Sequence, residues 1–473
     1  MPYQRVLLVH PASGAEWRGL TPHIGQAYLA QTLQDNGIEH DVMDMNLGYK
    51  PKHLINKIER FQPDLIGVSL ISMEYKYSYA LLSQIKKHFP NLKIVVGGPH
   101  VTILNTKVMD ECPVIDYGIT FEGEDTLIEL CRNTDLSQIT GLMYRDGDKT
   151  VYNGDRDFVI NLDRIPWPRY DKFELKKYLP EMTIYSSRGC PHQCIFCPNK
   201  LISPHFRPRS PSNVADEMEY WYAKGYRQFN FDDDNFNLIR QRVFEICDEI
   251  ERRGLRNLTL RCSNGIRADR VDKEMLIRMR QIGFKYLAFG ADAGNNKMLE
   301  IIRKGETIED IERAMKWACE LGYETKLLFV VGTPYENRED VEDKVRLTRK
   351  FPVQEVHFYN LIPYPGTELF DWVKEKKYFL KQPEEYLNNC SSLTKVPVFE
   401  TPELPKETRQ ELYKYLENVR KQVHREAVQR MLKQQNFIGI SAGYLLVNGL
   451  VERLFYSNKN LRKLVDTVRY KQA

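Results

Sequence analysis

Cysteine is scarce in this chain, 9 of 473 residues, and that scarcity argues against a disulfide-stapled secreted scaffold. An excess of one charge is missing too. Lys and Arg number 68 against 64 Asp and Glu, a formal net charge of +4, too small to point to nucleic acid as a partner. There is no low-complexity tract and no short repeat. A bilayer span needs roughly 20 apolar residues, and the uncharged run Phe437 to Val451 stops at fifteen. Met1-Pro-Tyr-Gln-Arg5 leads straight into a strand pattern with no signal peptide, so a reducing cytoplasm is the expected compartment. Hydrophobic content of 42% and charge of 28% describe a globular chain long enough for two or three cores.

Against that background three cysteines stand together. Tyr185-Ser-Ser-Arg-Gly-Cys-Pro-His-Gln-Cys-Ile-Phe-Cys-Pro198 places Cys190, Cys194 and Cys197 in a CxxxCxxC spacing on one short loop. Three thiolates so spaced can hold three corners of a cubane iron–sulfur cluster and leave the fourth iron open for chemistry. A zinc knuckle completed by His192 or His205 is the competing reading, although zinc sites usually arrive as paired CxxC units. The other six cysteines, Cys112, Cys131, Cys247, Cys262, Cys319 and Cys390, sit among apolar neighbours and read as small buried hydrophobes.

The triplet, after a strand-like run and before a helical one, resembles the signature of the radical S-adenosylmethionine superfamily. The resemblance implies a 4Fe-4S cluster whose unique iron takes the amino and carboxylate groups of S-adenosyl-L-methionine, with reductive cleavage to a 5′-deoxyadenosyl radical. It also implies an electron donor of flavodoxin or ferredoxin type.

Residues 1–155 alternate strand and helix: Arg5–His10, then a helical pattern from Gly25 to Gly37, then strands at His40–Met45, Asp64–Leu70 and Lys93–Val96. That rhythm predicts a doubly wound, Rossmann-like parallel sheet, with ligands at the carboxyl ends of its strands. Two of those ends are distinctive. Gly67-Val-Ser-Leu-Ile71 presents the Ser69 hydroxyl, and Gly97-Gly98 lets backbone approach a ligand closely. With Gly25, these resemble the D-x-H-x-x-G…S-x-L…G-G pattern of cobalamin-binding domains, where the cofactor's nucleotide tail enters the sheet. A flavodoxin-like sheet kept only for stability is the plain alternative. The slot of the cobalt-ligating histidine holds Pro22 and the Asp slot holds Leu20, with His23 one residue away. The resemblance then implies cobalt without a histidine ligand, the Pro11–Thr21 loop with Trp17 shaping the lower face. Glu122-Gly-Glu124 resembles another recurrent element of such domains, or is a solvated turn.

Asn161-Leu-Asp-Arg-Ile-Pro-Trp-Pro-Arg-Tyr-Asp171 is proline-broken and resembles the family's connector, so 156–182 reads as a linker. From 183 to 375 strand–helix alternation resumes about six times, which predicts a partial (β/α)6 TIM-type barrel with its site at the carboxyl ends of the strands. The predicted strands are Thr183–Ser186, Gln228–Asp232, Thr259–Ser263, Tyr286–Phe289, Lys326–Val331 and Glu355–Leu361. By resemblance, Asp233 and Asp234 in Phe231-Asp-Asp-Asp-Asn-Phe236 face the methionine ammonium or the substrate, unless they cap a helix. Arg267 is a candidate fork for the cosubstrate carboxylate, or pairs with Asp269. Asp292 in Gly290-Ala-Asp-Ala-Gly294 takes the place of a ribose-binding Glu, Gly332 lies on the adenine-facing strand, and Asn360 opens the closing one.

The remaining region, 376–473, is charged and helical from Pro402 to Gln435. Residues 437–463 read as a helix buried against the barrel, or as an amphipathic segment on an anionic membrane suited to a lipid-like substrate. The resemblance spans roughly residues 4 to 370 and implies a cobalamin-dependent radical enzyme, with C-methylation of an unactivated carbon as the leading expectation. Ring formation, oxygenation or another rearrangement is the enzymatic alternative, and a non-catalytic cobalamin or redox sensor the non-enzymatic one. A lipid, a tetrapyrrole, a peptide or a small metabolite all remain open as substrate.

Overall fold

The computed structural model describes residues 3–12, 21–132, 135–389 and 396–433. Trp17, Leu20, Cys390 and the whole 437–463 segment lie outside the described residues. The chain divides into two compact units. The first comprises Met1–Tyr178 with Leu201–Arg207 and Gln382–Cys390, and the second comprises Leu179–Lys200, Pro208–Lys381 and Ser391–Ala473.

The first unit is a seven-stranded sheet. Strands β1 (Arg5–His10), β2 (Glu39–Asp44), β3 (Leu65–Ser69), β4 (Lys93–Gly97) and β5 (Tyr117–Ile119) run parallel in the order 2-1-3-4-5. Helices Ile24–Asp35, Pro51–Phe61 and Tyr75–His88 connect the first four. The central strands are apolar along most of their length, as strands covered on both faces must be: Val6, Leu7, Val9, Leu65, Ile66 and Ile94 are all fully buried. A hairpin not anticipated from the strand–helix rhythm extends the sheet. Strands β6 (Leu142–Asp146) and β7 (Lys149–Tyr152) pair antiparallel around an Asp-Gly-Asp turn, with Gly147 at φ 59°, the left-handed conformation that such turns demand.

The segment read as a linker, 156–182, is packed onto this unit up to Tyr178. Leu162, Ile165, Tyr170 and Tyr178 are buried, Arg169 N donates to Gln31 Oε1 at 3.1 Å, and Tyr178 Oη donates to Asp44 Oδ2 at 2.8 Å. Two later segments return to the same unit. Arg207 forks onto Glu122 at 2.7 and 2.9 Å, so Glu122 is an ion-pair partner and not a solvated turn residue. Asn388 Oδ1 accepts from Lys76 N at 2.8 Å.

The second unit is a six-stranded parallel sheet in sequential order: β8 (Glu181–Ile184), β9 (Gln228–Phe231), β10 (Thr259–Ile266), β11 (Phe284–Asp292), β12 (Glu324–Val331) and β13 (Glu355–Asn360). Intervening helices include Pro211–Ala223, Arg240–Arg252, Lys273–Ile282, Ile308–Glu320 and Arg338–Arg349. First and last strands do not pair, so the barrel is partial. Thr325, Leu327, Phe329 and Val331 alternate along β12 and are fully buried, the period-2 signature of one face packed on helices. Gly294 is needed for packing, since a Cβ there would lie 2.3 Å from Lys344 N. The helix Lys406–Lys433 packs along β13. Among the described residues no helix is long and apolar enough to cross a membrane.

One ion pair inside this unit is completely dehydrated. Lys344 and Glu336 both have 0% side-chain exposure and contact each other, Lys344 Nζ donates to Val330 O at 2.7 Å, and Glu336 Oε2 accepts from Gly332 N at 2.6 Å. Removing one partner of such a pair strands the other charge, at about 3–5 kcal/mol. Lys344→Met is therefore expected to lower stability by about that amount in denaturant unfolding, and the double change Lys344→Met with Glu336→Gln to recover part of it.

Candidate active site

The cysteine loop leaves the carboxyl end of β8 and is stapled on several sides. Arg209 N donates to Ser186 O at 2.9 Å, and the guanidinium of Arg242 also donates there. The hydroxyls of Ser186 (2.9 Å) and Ser187 converge on Asp233 Oδ1. Gly189 N, at 3.2 Å, and Asn199 Nδ2, at 2.6 Å, donate to the two oxygens of Asp234. Downstream, Ile195 N donates to Ile302 O at 3.2 Å and Leu369 N to Ile195 O at 3.0 Å. Asp233 and Asp234 thus organise the loop that carries the thiols. Asp233 is only 1% exposed, and its burial raises its pKa despite the serine hydroxyls and the nearby Arg242.

All three thiols are half-buried. Burial pushes Cys194 up to about 11 and Cys197 up to about 12, and raises Cys190 as well. Thiolates here would need positive charge, which the irons of a cluster would supply. Part of it is built into the protein, because Lys304 and Arg267 both favour the Cys194 thiolate. Among the described residues no three His, Cys, Asp or Glu side chains converge on one ion. Three thiols that each held a separate iron of a cubane would have no need to. His205, one candidate for completing a zinc knuckle, packs edge-on against Phe158 within the first unit.

Lys304 carried no motif in the sequence and is central to the charge pattern. Its ammonium pairs with Asp292 Oδ2 at 2.6 Å and lies 3.7 Å from Glu306 Oε1. These carboxylates hold its pKa above the ordinary lysine value in spite of burial. Asp292 sits in the left-handed region at φ 57°, an uncommon conformation that Asp tolerates better than most residues. Arg267 uses all three guanidinium nitrogens: Nε to Asp269 Oδ1 at 2.8 Å, Nη1 to Lys304 O at 2.7 Å and Nη2 to Gly305 O at 2.9 Å. The pairing of Arg267 with Asp269, one of the two readings the sequence allowed, is present here.

Gly332 and Asn360 turn out to meet the C-terminal helix. A Cβ on Gly332 (φ 103°) would lie 2.5 Å from the Arg409 guanidinium. Asn360 Oδ1 accepts from Tyr413 Oη at 2.8 Å, and its Nδ2 donates to Val396 O at 3.1 Å.

In the first unit the expected ligand edge is a cradle. Ser69 ends β3 and Gly97 ends β4, with Leu70 N donating to Gly97 O at 2.8 Å. Gly98 has φ 99°, and a Cβ on it would lie 2.8 Å from Leu70 O and 3.1 Å from Ser69 Oγ. Beneath it the buried His100 stacks on Tyr75 at 4.7 Å and contacts Ser72 Oγ and Tyr79 Oη. Burial lowers its pKa to about 4, so it is neutral. Pro22 is buried. His23 caps the helix Ile24–Asp35 by accepting Gln26 N at Nδ1, 3.1 Å, and stacks on His10 at 4.2 Å. A side-chain-free, positive-φ turn beside a serine hydroxyl fits the nucleotide tail of a cobalamin, and the three-thiol donor set fits a cluster.

Fold and sites define an α/β enzyme with a doubly wound cofactor sheet and a partial barrel that presents three thiols at its carboxyl edge. The radical SAM superfamily model matches residues 184–348 and the B12 binding domain model residues 12–131. An uncharacterized methyltransferase of Pyrococcus horikoshii, PH0819, is 30% identical over 391 residues, 79% of this chain and 83% of that protein. The anaerobic magnesium-protoporphyrin IX monomethyl ester cyclase of Cereibacter sphaeroides is 27% identical, over 79% of this chain and 64% of that protein. Among solved structures, the radical S-adenosylmethionine methyltransferase TsrM of Kitasatospora setae superposes with a TM-score of 0.69 at 21% identity, covering 79% of this chain and 76% of its own. The cobalamin-dependent radical enzyme OxsB superposes at 0.77 and 17%, covering 96% and 71%. These two establish the fold. The chain belongs to the cobalamin-dependent radical S-adenosylmethionine enzymes, and its cofactors are a 4Fe-4S cluster, S-adenosylmethionine and cobalamin.

Gly98→Ala forces a side chain into the cradle and strains a left-handed turn. It is expected to weaken cobalamin binding about tenfold or more in a spectrophotometric titration, while iron and sulfide content stay at the parent level.

Proposed function

We propose that this enzyme is a C-methyltransferase acting on an unactivated carbon. When bound, the cluster with S-adenosylmethionine supplies hydrogen-atom abstraction and the cobalamin supplies a methyl group, which is the hard chemistry of the reaction. The protein's part is to hold and tune these groups. Cys190, Cys194 and Cys197 are assigned as cluster ligands, and Ser69, Gly97 and Gly98 as the seat of the cobalamin tail. Asp233 and Asp234 fix the loop, while Lys304 and Arg267 supply positive charge beside Cys194.

The observation that carries the methyl-transfer reading is the entry to the helix Ile24–Asp35. Pro22 fills the slot of the cobalt-ligating histidine, and the neighbouring imidazole of His23 is engaged by Gln26 N and by His10. A cobalamin held at this sheet without a histidine from this slot would supply its methyl group the more readily for radical transfer. The resemblance to PH0819 points the same way. A second reading, ring closure, is supported by the resemblance to the anaerobic cyclase. The electron donor is assigned to the flavodoxin or ferredoxin class, and the compartment to the cytoplasm.

The test is anaerobic turnover with S-adenosylmethionine and a chemical reductant, using extract of a deletion strain as the source of substrate. S-adenosylhomocysteine and 5′-deoxyadenosine are expected to accumulate together, with a product heavier by one methylene. Accumulation of 5′-deoxyadenosine alone, with a product lacking that added mass, would replace methylation by ring closure.

A further inference from the structure

The acidic segment after β9 contains one residue that the loop-holding network leaves out. Asp233 is taken up by Ser186 and Ser187, and Asp234 by Gly189 and Asn199. On the other side Asn237 exchanges two hydrogen bonds with the backbone of Arg267, at 2.9 and 3.1 Å. Phe236 is buried 4.8 Å from the Phe231 ring and 5.7 Å from Phe284. Asn235 is therefore held on both sides. The residue is 1% exposed, and neither amide atom has a hydrogen-bond partner.

A primary amide dehydrated without partners costs on the order of 1–3 kcal/mol, so this position calls for an acceptor. Asn235 directly follows Asp234, whose Oδ2 accepts from Gly189 N at 3.2 Å, which sets it at the Cys190 end of the thiol loop, and its side chain favours the Cys190 thiolate. A neutral thiol sulfur is a weak acceptor, whereas a metal-bound thiolate and the sulfides beside it are much better ones.

We propose that Asn235 is a tuning residue of the cluster, whose Nδ2–H donates a hydrogen bond to the Cys190 thiolate or the sulfide next to it. The electron that a low-potential one-electron donor places on the cluster, converting its 2+ state to 1+, raises the negative charge on those sulfurs. A fixed N–H dipole stabilises the reduced form more than the oxidised one, so Asn235 raises the reduction potential at the Cys190 corner. Lys304 and Arg267 act in the same sense at the Cys194 corner. Asn235 does not touch the reacting atoms and acts through the cluster.

The experiment is an anaerobic redox titration of the reconstituted holoenzyme, followed by the EPR signal of the reduced cluster, for the parent, Asn235→Leu and Asn235→Ser. Leu keeps the volume and removes the donor, and Ser restores a donor. Leu is expected to make cluster reduction about tenfold less favourable at a fixed potential, a negative shift of ~59 mV for a one-electron couple, with Ser lying between Leu and the parent. An unchanged potential in Asn235→Leu at full iron and sulfide content overturns the proposal. So does loss of the cluster in Leu and Ser alike, which would mark the residue as structural. The readout is independent of the product formed, so it stands or falls separately from the methyl-transfer reading.

Discussion

The constraint on which the site depends is the burial of three thiols on one short loop. A thiolate in a half-buried setting is unfavourable unless positive charge meets it, and Cys194 and Cys197 are pushed up to about 11 and 12. Much of the surrounding structure answers that demand. The buried Asp233 and the half-buried Asp234 hold the loop from one side through hydroxyl, amide and backbone donors. The Ile302 and Leu369 backbones brace it from the other. Lys304 and Arg267 bring cationic groups toward Cys194 without becoming mobile, because each is tied to carboxylates or carbonyl oxygens in turn. A cluster bound by these thiols would complete an electrostatic arrangement that the protein has already begun.

Both cofactor sites follow one architectural rule. Parallel strands end together, and their carboxyl ends are where loops, helix amino termini and unpaired backbone groups accumulate. In the first unit the outcome is a turn from which side chains are excluded, as shown by how closely Leu70 O and Ser69 Oγ approach Gly98. In the second it is a thiol loop at the end of β8 facing an acidic segment at the end of β9. One site is defined by missing side chains and the other by dense charge. That difference matches a nucleotide tail that must be admitted and a cluster that must be gripped.

The parts legible in the sequence were those encoded locally. CxxxCxxC spacing, the Ser69 and Gly97-Gly98 strand ends, six strand–helix repeats and the Pro22 departure all lie within short windows, where period and spacing carry the information. What stayed hidden depends on contacts between distant segments. Lys304 acquires its role from Asp292 and from a loop more than a hundred residues upstream. The pairing of Arg267 with Asp269 was open from their closeness in sequence, whereas its partners Lys304 O and Gly305 O are backbone groups, which no side-chain pattern announces. The 156–182 segment looked like a linker because prolines and charges conceal the burial of Leu162, Ile165 and Tyr178. The β6–β7 hairpin was missed because its strands are short and follow a run of parallel units.

The most direct measurement is metal and cofactor analysis of the anaerobically purified protein beside its Cys194→Ala variant, with iron, acid-labile sulfide, zinc and cobalamin counted per chain. The parent should carry iron and sulfide in the proportions of one 4Fe-4S cluster. Cys194→Ala should lose them and still bind cobalamin in its separate sheet. Zinc in place of iron in the parent, or iron and sulfide undiminished in Cys194→Ala, would contradict the assignment of this loop as the cluster site.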